Sequence, residues 1–131
     1  YGVMRIYSGT RPTNVEDSEG AGTLLLQISE SSGAFVGGAD ANGLLFDAVV
    51  DGVLSKDVAQ TWSDAGIATG TAAWGRFYDN AFNTGADAGE AFIRFDFDVG
   101  LSGSDLNMAT SVIIGITKVI ESFTITIPPT A

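Results

Sequence analysis

Two aspartates in the segment AFIRFDFDV, residues 91–99, are the side chains best placed for acid–base chemistry. If this segment is a strand, Asp96 and Asp98 share one face and lie roughly 6.5–7 Å apart. That separation is compatible with the two carboxyl groups of a glycosidase. The same face carries Arg94, the natural ion-pair partner of Asp96, so we expect solvated strand-face charges. We predict no catalytic residue and no enzyme activity.

Three large aromatic residues, Trp62, Trp74 and Tyr78, are the candidate contacts for a glycan or a protein partner. Exposed aromatic rings can form a platform for a sugar, and Asp79 and Asn80 would be its polar neighbours. The alternative is that both tryptophans anchor the core, which is the usual fate of large aromatic residues in a small β domain. The sequence leaves both interpretations open.

The acidic segment DNAFNTGADAGE, residues 79–90, has the length of an EF-hand calcium loop but not its ligands. Ala81 stands at the third position, and Gly85 stands at the seventh position instead of the sixth. The Gly-Asp pattern of residues 37–43 occurs once, whereas such repeats bind calcium only in stacks. That segment also lacks the Lys-Ser/Thr of a phosphate-binding loop. We therefore predict no bound metal and no cofactor.

Histidine and cysteine are absent, and this removes several kinds of chemistry. Without histidine the chain lacks the usual general base and the commonest transition-metal ligand. Without cysteine it has no disulfide framework and no thiolate metal site. Any role outside the cell must then rest on packing or assembly.

The chain is strongly acidic, with 16 acidic residues, 6 basic residues and a net charge of −10. Such a surface repels phosphate backbones and anionic lipids, so we predict neither nucleic acid nor a membrane as a partner. No apolar run approaches the ~20 residues of a membrane span. The acidity favours solubility, and the alternatives are a basic protein partner or weak cation binding.

The 131 residues are enough for one domain, residues 1–131, with one hydrophobic core. Because the sequence starts at Tyr1 and not at Met, we expect that an upstream piece was cleaved or left out. The 17 glycines and 3 prolines predict many turns.

Short segments with alternating apolar and polar residues predict strands and no long helix. Residues 54–66 could hold a helical turn, or a strand that begins at Trp62. Residues 31–43 are predicted to be a loop with a short edge strand at 34–36. The main predicted strands cover residues 3–7, 23–29, 44–50, 70–80, 91–99 and 118–130.

The clearest alternation lies in residues 91–99 and 118–130, where every second side chain is apolar. Gly75, which stands among aromatic residues, predicts a close backbone approach or a bulge. The predicted inward-facing residues are Ala91, Ile93, Phe95, Phe97 and Val99 in the first segment, and Val119, Phe123, Ile125 and Ile127 in the second.

The loop GLSGSDLNM, residues 100–108, is predicted to be a structural corner. Gly100 and Gly103 tolerate positive φ, and the Asp105 side chain can cap its own backbone. Two residues after the turn are predicted to return to the core, Leu106 and Met108.

Together these elements predict an all-β fold, a single-domain antiparallel β-sandwich or a jelly-roll-like barrel of seven to eight strands. Apolar strands need protected edges, and the chain has few Lys and Arg residues for that purpose. We therefore predict that neighbours cover the edges, in a homo-oligomer or on a lattice.

Five stretches of the chain resemble, in the same order, a group of small β proteins encoded among the structural genes of tailed bacteriophages and prophages. In that group a first strand leads into a Gly-x-x-Pro turn, a Trp-containing strand leads to an SG-D-LN loop, and the last strand is rich in Thr and Ile. The five stretches are MRIYSGTRPTN, GTLLLQIS, GTAAWGRFYD, VGLSGSDLNM and SFTITIP.

The resemblance spans nearly the whole chain and departs at residues 31–40 and 79–90. These departures leave open which face meets a partner. The matching positions are Arg5, Ile6, Tyr7, Gly9 and Pro12; Gly70, Thr71, Ala72, Trp74, Arg76 and Phe77; Ser102, Gly103, Asp105, Leu106 and Asn107; and Phe123, Ile125, Ile127 and Pro128.

The resemblance implies a non-enzymatic virion component that decorates or cements the head surface of the extracellular particle. Its implied partners are the major capsid protein, further copies of itself, or both. Two alternatives stay open. One is a carbohydrate-binding β-sandwich module of a tail fibre or cell surface, and the other is a subunit of an extracellular filament.

Overall fold

The computed structural model describes residues 1–20, 22–86 and 93–126. Across these ranges the chain forms strands, turns and loops without a helix, which confirms the predicted all-β fold. The strands are β1 Val3–Tyr7, β2 Leu24–Glu30, β3 Val53–Ser55, β4 Trp62–Ala65, β5 Gly70–Thr71, β6 Trp74–Tyr78, β7 Arg94–Gly100, β8 Leu106–Asn107, β9 Ser111–Val112, β10 Thr117–Ile120 and β11 Thr124–Thr126.

Seven strands form one curled sheet that is shaped like half of a barrel. Its order is β10-β4-β2-β1-β6-β7-β8, and the strand pairs β11–β3 and β5–β9 form two small extra sheets. One pairing departs from the predicted antiparallel arrangement, because β8 runs parallel to β7. The strands are also shorter and more numerous than predicted, since turns and breaks divide several of the apolar segments.

Three predicted strands are confirmed: one has the predicted bounds, one is shifted and one is divided. The strand predicted at residues 3–7 is β1, and the strand predicted at 23–29 is β2 moved by one residue. The segment 70–80 is divided by Ala72 and Ala73 into β5 and β6. These two small strands belong to different sheets, so the short interruption redirects the chain.

The strand predicted at residues 91–99 is β7, which begins at Arg94. Phe97 and Val99 are buried as predicted, and Phe95 is half-buried against the core. Ile93 precedes the strand and is exposed, so its predicted inward position is wrong. Ala91 lies outside the described residues.

Two other predicted segments differ from the structure. Residues 44–50 make isolated bridges and not a continuous strand. Residues 34–36 form no strand, because this part of the chain is a loop. Within 54–66 the chain makes an isolated turn at 57–60 and then a strand that begins at Trp62, which was the second of the two interpretations.

The strand predicted at residues 118–130 is broken after Ile120 into β10 and β11, which belong to different sheets. Ile120 and Phe123 are both buried, whereas Val119 is exposed. The predicted inward position of Val119 is therefore wrong, because the prediction assumed one continuous alternation through the break. Ile127 lies outside the described residues.

The core lies on one face of the seven-stranded sheet and is rich in phenylalanine. Phe123, next to β11, packs against Phe97 of β7 with ring centroids 5.0 Å apart. Gly75 of β6 lies opposite Phe97, and a Cβ at Gly75 would lie 2.4 Å from that ring. The predicted close approach at Gly75 is thus confirmed, and it lets the Phe97 ring lie flat over the neighbouring strand.

The corner at residues 100–108 is built differently from the prediction in two respects. Gly103 has a φ of 68° as expected, but Gly100 stays in β7. The Asp105 carboxylate accepts a hydrogen bond from the main-chain N–H of Asp98 at 3.0 Å and does not cap its own backbone. Two residues return to the core as predicted, Leu106 and Met108.

Candidate functional site

The three aromatic residues predicted as contacts, Trp62, Trp74 and Tyr78, are all buried. Trp62 packs edge-on against Phe46 with ring centroids 5.4 Å apart. Trp74 stacks on Tyr7 at 4.3 Å. The interpretation as a core anchor is therefore confirmed for Trp62. Trp74 is also buried, but it lies on the opposite face of the sheet beside Arg76, and none of the three residues presents a ring face to solvent.

A buried polar layer lies on the second face of β1, β6 and β7. The cross-strand register sets Arg76 opposite Arg5 on one side and opposite Asp96 on the other. Arg76 is fully buried and donates two hydrogen bonds to the Asp96 carboxylate. Burial alone would lower the pKa of Arg76, but the hydrogen bonds and the charge of Asp96 outweigh burial and raise it. Arg76 therefore remains charged inside the protein.

Arg94 is not the ion-pair partner of Asp96, so that prediction is wrong. The directly opposite residue on β6, Arg76, takes the carboxylate, because cross-strand neighbours are closer than residues two apart on one strand. Arg94 instead donates to the main-chain carbonyls of Val15 at 2.8 Å and Asn83 at 2.7 Å. It thereby ties two long loops to the sheet.

Two tyrosine hydroxyls complete this polar layer. The hydroxyl of Tyr7 donates to the Glu19 carboxylate and lies 2.9 Å from the hydroxyl of Tyr78. The pKa of Tyr7 is raised far above its usual range. Burial is the largest cause, and the hydrogen bond to Glu19 is the second. Burial also raises the pKa of Tyr78. Both hydroxyls therefore stay protonated at neutral pH and serve as hydrogen-bonding groups.

The two aspartates considered for acid–base chemistry have separate ion-pair partners. Asp96 is held by buried Arg76, so the expectation that it is solvated is wrong. Asp98 is exposed as expected and pairs with Arg11 at 3.2 Å. Each carboxylate is thus engaged with its own guanidinium, and the geometry does not place them as a pair around a shared reacting group.

The segment considered as a calcium loop forms a turn at its start. The Asp79 carboxylate accepts hydrogen bonds from the main-chain N–H groups of Ala81 at 3.1 Å and Ile93 at 3.3 Å. Glu90 lies outside the described residues. In the ranges that the structure describes, no three acidic side chains come close enough together to hold a metal ion. The same ranges contain no helix that is long and apolar enough to cross a membrane.

A groove of about 500 Å³ lies between β7, β11 and the loop that precedes β8. It is lined by aromatic side chains, including Phe95 and Phe123, and by polar side chains, including Asp105 and Asn107. Apolar surface with a few polar groups is typical of small-molecule sites. The groove was not predictable from the sequence, because its residues come from three separate segments.

Five exposed apolar side chains lie near the start of β10, and we call them the isoleucine patch. They are between 45% and 63% exposed. Exposed apolar side chains that lie close together can mark a surface that binds another molecule. The members of the patch are Ile67, Ile113, Ile114, Ile116 and Val119.

A tight turn at Gly115 holds the isoleucine patch together. Gly115 has a φ of 81°, and the main-chain N–H of Ile116 donates to the carbonyl of Ile113 at 3.1 Å. The N–H of Gly115 donates to the carbonyl of Gly66 at 2.9 Å, which brings Ile67 beside the turn. The apolar side chains are therefore displayed by a hydrogen-bonded structure.

The isoleucine patch adjoins an outer edge of the seven-stranded sheet. β10 is the end strand, and among the described residues it pairs only with β4. Its one charged residue is Lys118, and the other three residues of the strand are uncharged. An apolar patch and an accessible strand edge thus occur together.

The isoleucine patch was not predicted from the sequence, because residues 111–117, SVIIGIT, show neither a period of two nor a helical period. The signal that could have revealed it is the set of three isoleucines around Gly115. A core strand would alternate these residues with polar ones, whereas a turn must expose several of them.

Comparisons with family models, with curated proteins and with solved structures each found no match to this chain.

Proposed function

We propose that this chain is a non-enzymatic structural protein of a tailed-phage particle and that it decorates the head shell. The observation that carries the proposal is the isoleucine patch beside the edge of β10. Surface patches of this kind mark contacts with other proteins. The resemblance of the five sequence stretches to phage structural proteins supplies the class of partner, which is the capsid protein.

The buried polar layer supports a structural role. Arg76 and Asp96 are paired with each other, and Arg94 is bound by main-chain carbonyls. These interactions hold the long loops on the sheet, so the charged groups serve to keep the shape of the molecule. A shape kept in this way suits a protein that repeats one contact many times on a lattice.

The energetics of decoration fit a small apolar contact. Complete burial of one isoleucine contributes about 1.5–3 kcal/mol, so several half-exposed side chains give a contact of modest strength. A symmetric shell offers the same contact at many equivalent positions, so many copies can bind through it.

The first test is mass spectrometry of purified particles from cells that carry the gene. We expect the chain in the particle fraction, at a copy number comparable with that of the shell subunit. Its absence from particles that contain all the other structural proteins would overturn the proposal.

The second test adds purified protein back to particles that lack it and measures co-sedimentation. Ile114→Asp places a charge in the isoleucine patch and is expected to reduce binding at least tenfold. Leu101→Asp is the matched control, because Leu101 is 75% exposed and lies outside the patch. Equal binding of the two variants would contradict docking through the patch.

A carbohydrate-binding module is the second candidate, and the groove beside β7 favours it because aromatic and polar side chains line the groove together. A glycan array would test it with wild-type protein, Asn107→Ala in the groove and Ile114→Asp in the patch. Glycan binding that is lost only in Asn107→Ala would favour the module over shell decoration.

A further inference from the structure

The outer edge of β10 is built to accept another strand. The main-chain N–H of Gly66 donates to the carbonyl of Ile116 at 3.0 Å. The register of β10 on β4 continues this pattern, so Ile116, Lys118 and Ile120 direct their main-chain groups toward β4. Thr117 and Val119 therefore direct their N–H and C=O groups to the outer side.

Hydrogen bonds on the other side of β4 support this assignment. The N–H of Ser31 donates to the carbonyl of Thr61, and the N–H of Ile67 donates to the carbonyl of Leu25. Odd-numbered residues of the β4 region thus bond to β2, which leaves the even-numbered ones for β10. Among the described residues, no group bonds to the outward main chain of Thr117 or Val119.

We propose that two copies of this chain pair through β10, antiparallel, about a two-fold axis at Val119. The two seven-stranded sheets then become one continuous sheet. The dimer rests on the proposed function, because the shell is the setting in which copies lie side by side. It extends that function by naming a second copy of the chain as the occupant of the β10 edge. A two-fold contact uses the same surface on both copies, so one self-complementary edge is sufficient.

The side chains select this register from the neighbouring ones. With the axis at Val119, the two Val119 residues face each other and Lys118 faces Ile120 of the second copy. An axis at Lys118 would set the two lysines directly opposite, which is unfavourable. An axis at Ile120 would leave no hydrogen-bonded pair inside β10, because Val119 would face Glu121, which lies beyond the end of the strand. The axis at Val119 keeps one such pair, Val119 with Val119, inside β10.

The size of the contact indicates a weak dimer in dilute solution. β10 has only four residues, so its edge offers each copy less than the ~800 Å² per partner of a standard stable interface. A contact of this size forms when copies are concentrated side by side, as they are on a shell. We choose a second copy as the occupant because the two-fold register sets Val119 against Val119 and places no like charges directly opposite each other.

The charge of the chain gives the dimer a distinctive response to salt. Each copy carries a net charge of −10, so two copies repel each other over their whole surfaces. Salt screens this repulsion, whereas the central apolar contact does not depend on it. We therefore expect dimerisation to strengthen as salt is raised.

A cysteine cross-link tests the register directly, since the natural chain has no cysteine. In Val119→Cys the two Cα atoms would lie about 5.5 Å apart, which is within the range of a disulfide. In the control Thr117→Cys they would lie more than about 13 Å apart. Under a mild oxidant we expect Val119→Cys to form a covalent dimer at least tenfold faster than Thr117→Cys on non-reducing gels.

Light scattering of the wild type over a range of concentrations and salt is the second measurement. A mass that rises toward that of a dimer with concentration, and more steeply at high salt, is expected. A monomer up to about 1 mM at every salt concentration would overturn the proposal. Equal cross-linking of the two cysteine variants, or fibres in electron micrographs in place of closed dimers, would also overturn it.

The outcomes separate this inference from the proposed function. Selective cross-linking of Val119→Cys without binding to particles supports the dimer and counts against shell decoration. Binding to particles without selective cross-linking supports decoration and overturns the dimer.

Discussion

Two aspartates of the same strand face show how the environment decides what a residue does. Asp96 and Asp98 are two apart in β7, and their side chains point the same way. Asp96 pairs with a guanidinium that is 0% exposed, and its own side chain is 9% exposed. Asp98 pairs with a side chain that is 42% exposed, and is itself 64% exposed. The first pair is part of the fold, whereas the second lies in water.

Neutralising the two aspartates should therefore have very different effects. Asp96→Asn leaves the charge of Arg76 buried without its partner, and we expect a loss of about 3–5 kcal/mol in the free energy of unfolding. Asp98→Asn is the matched control and should change it by about 0–1 kcal/mol. Urea unfolding measures both values, and similar losses in the two variants would contradict the buried ion pair.

The raised pKa of Tyr7 predicts a loss of stability at alkaline pH. Below pH ~10 the tyrosine is protonated in both the folded and the unfolded chain, so its contribution is fully present. As pH rises above ~10 the unfolded chain ionises first, and stability falls by up to about 1.4 kcal/mol per pH unit. The fall continues toward the higher pKa of the folded protein.

Tyr7→Phe isolates this contribution. At neutral pH the variant should lose about 1–3 kcal/mol, because Glu19 and Tyr78 lose a hydrogen-bond partner. Above pH ~10 its stability should fall less steeply than that of the wild type. Urea midpoints over a pH series measure both effects, and equal alkaline slopes would show that Tyr7 does not cause the loss.

At the scale of the strands, one glycine decides how β6 and β7 fit together. Gly75→Ala would bring a Cβ to 2.4 Å from the Phe97 ring and to 3.0 Å from the carbonyl of Arg5. The ring or the strand must move, so we expect a loss of about 1–3 kcal/mol. Gly85→Ala is the control, because the nearest atom, Oδ1 of Asn83, lies 3.4 Å away. Thermal unfolding that ranks the two alike would contradict the close approach.

Strands with an unbroken alternation were predictable from the sequence. β1 and β2 were placed within one residue, and Phe97 and Val99 of β7 were assigned to the core correctly. In such strands the side-chain period of two directly reports the buried face.

The break after Ile120 was not predictable in this way. A period of two continues in the sequence through a change of sheet, so Val119 was assigned to the wrong side. The partner of Asp96 was missed for a related reason. Cross-strand register brings Arg76 opposite Asp96, and a single sequence does not contain that register.

The surface features of the candidate site depend on tertiary structure even more strongly. The isoleucine patch combines the Gly115 turn with Ile67, which is more than forty residues away along the chain. The groove beside β7 combines three separate segments. Composition shows that apolar residues are plentiful, but only the fold determines which of them remain uncovered.

At the scale of the whole molecule, Phe123 connects the sheets. Its ring lies 5.0 Å from that of Phe97 in β7 and 6.2 Å from that of Trp62 in β4, and β11 follows it directly. The large sheet and the β11–β3 pair therefore share one hydrophobic core. A shared core predicts that they unfold together, as expected for one domain.

Phe123→Ala tests this unity. Removing the ring should lower the free energy of unfolding by about 3–5 kcal/mol while unfolding remains a single transition. Phe35→Ala is the control, since Phe35 is half-buried and packs on Phe82 outside the core, and it should lose only about 1 kcal/mol. Far-ultraviolet circular dichroism follows all the strands, and tryptophan fluorescence follows Trp62 and Trp74, which both belong to the large sheet. If the two signals of Phe123→Ala have separate midpoints, part of the structure unfolds apart from the large sheet, and the chain is not one cooperative unit.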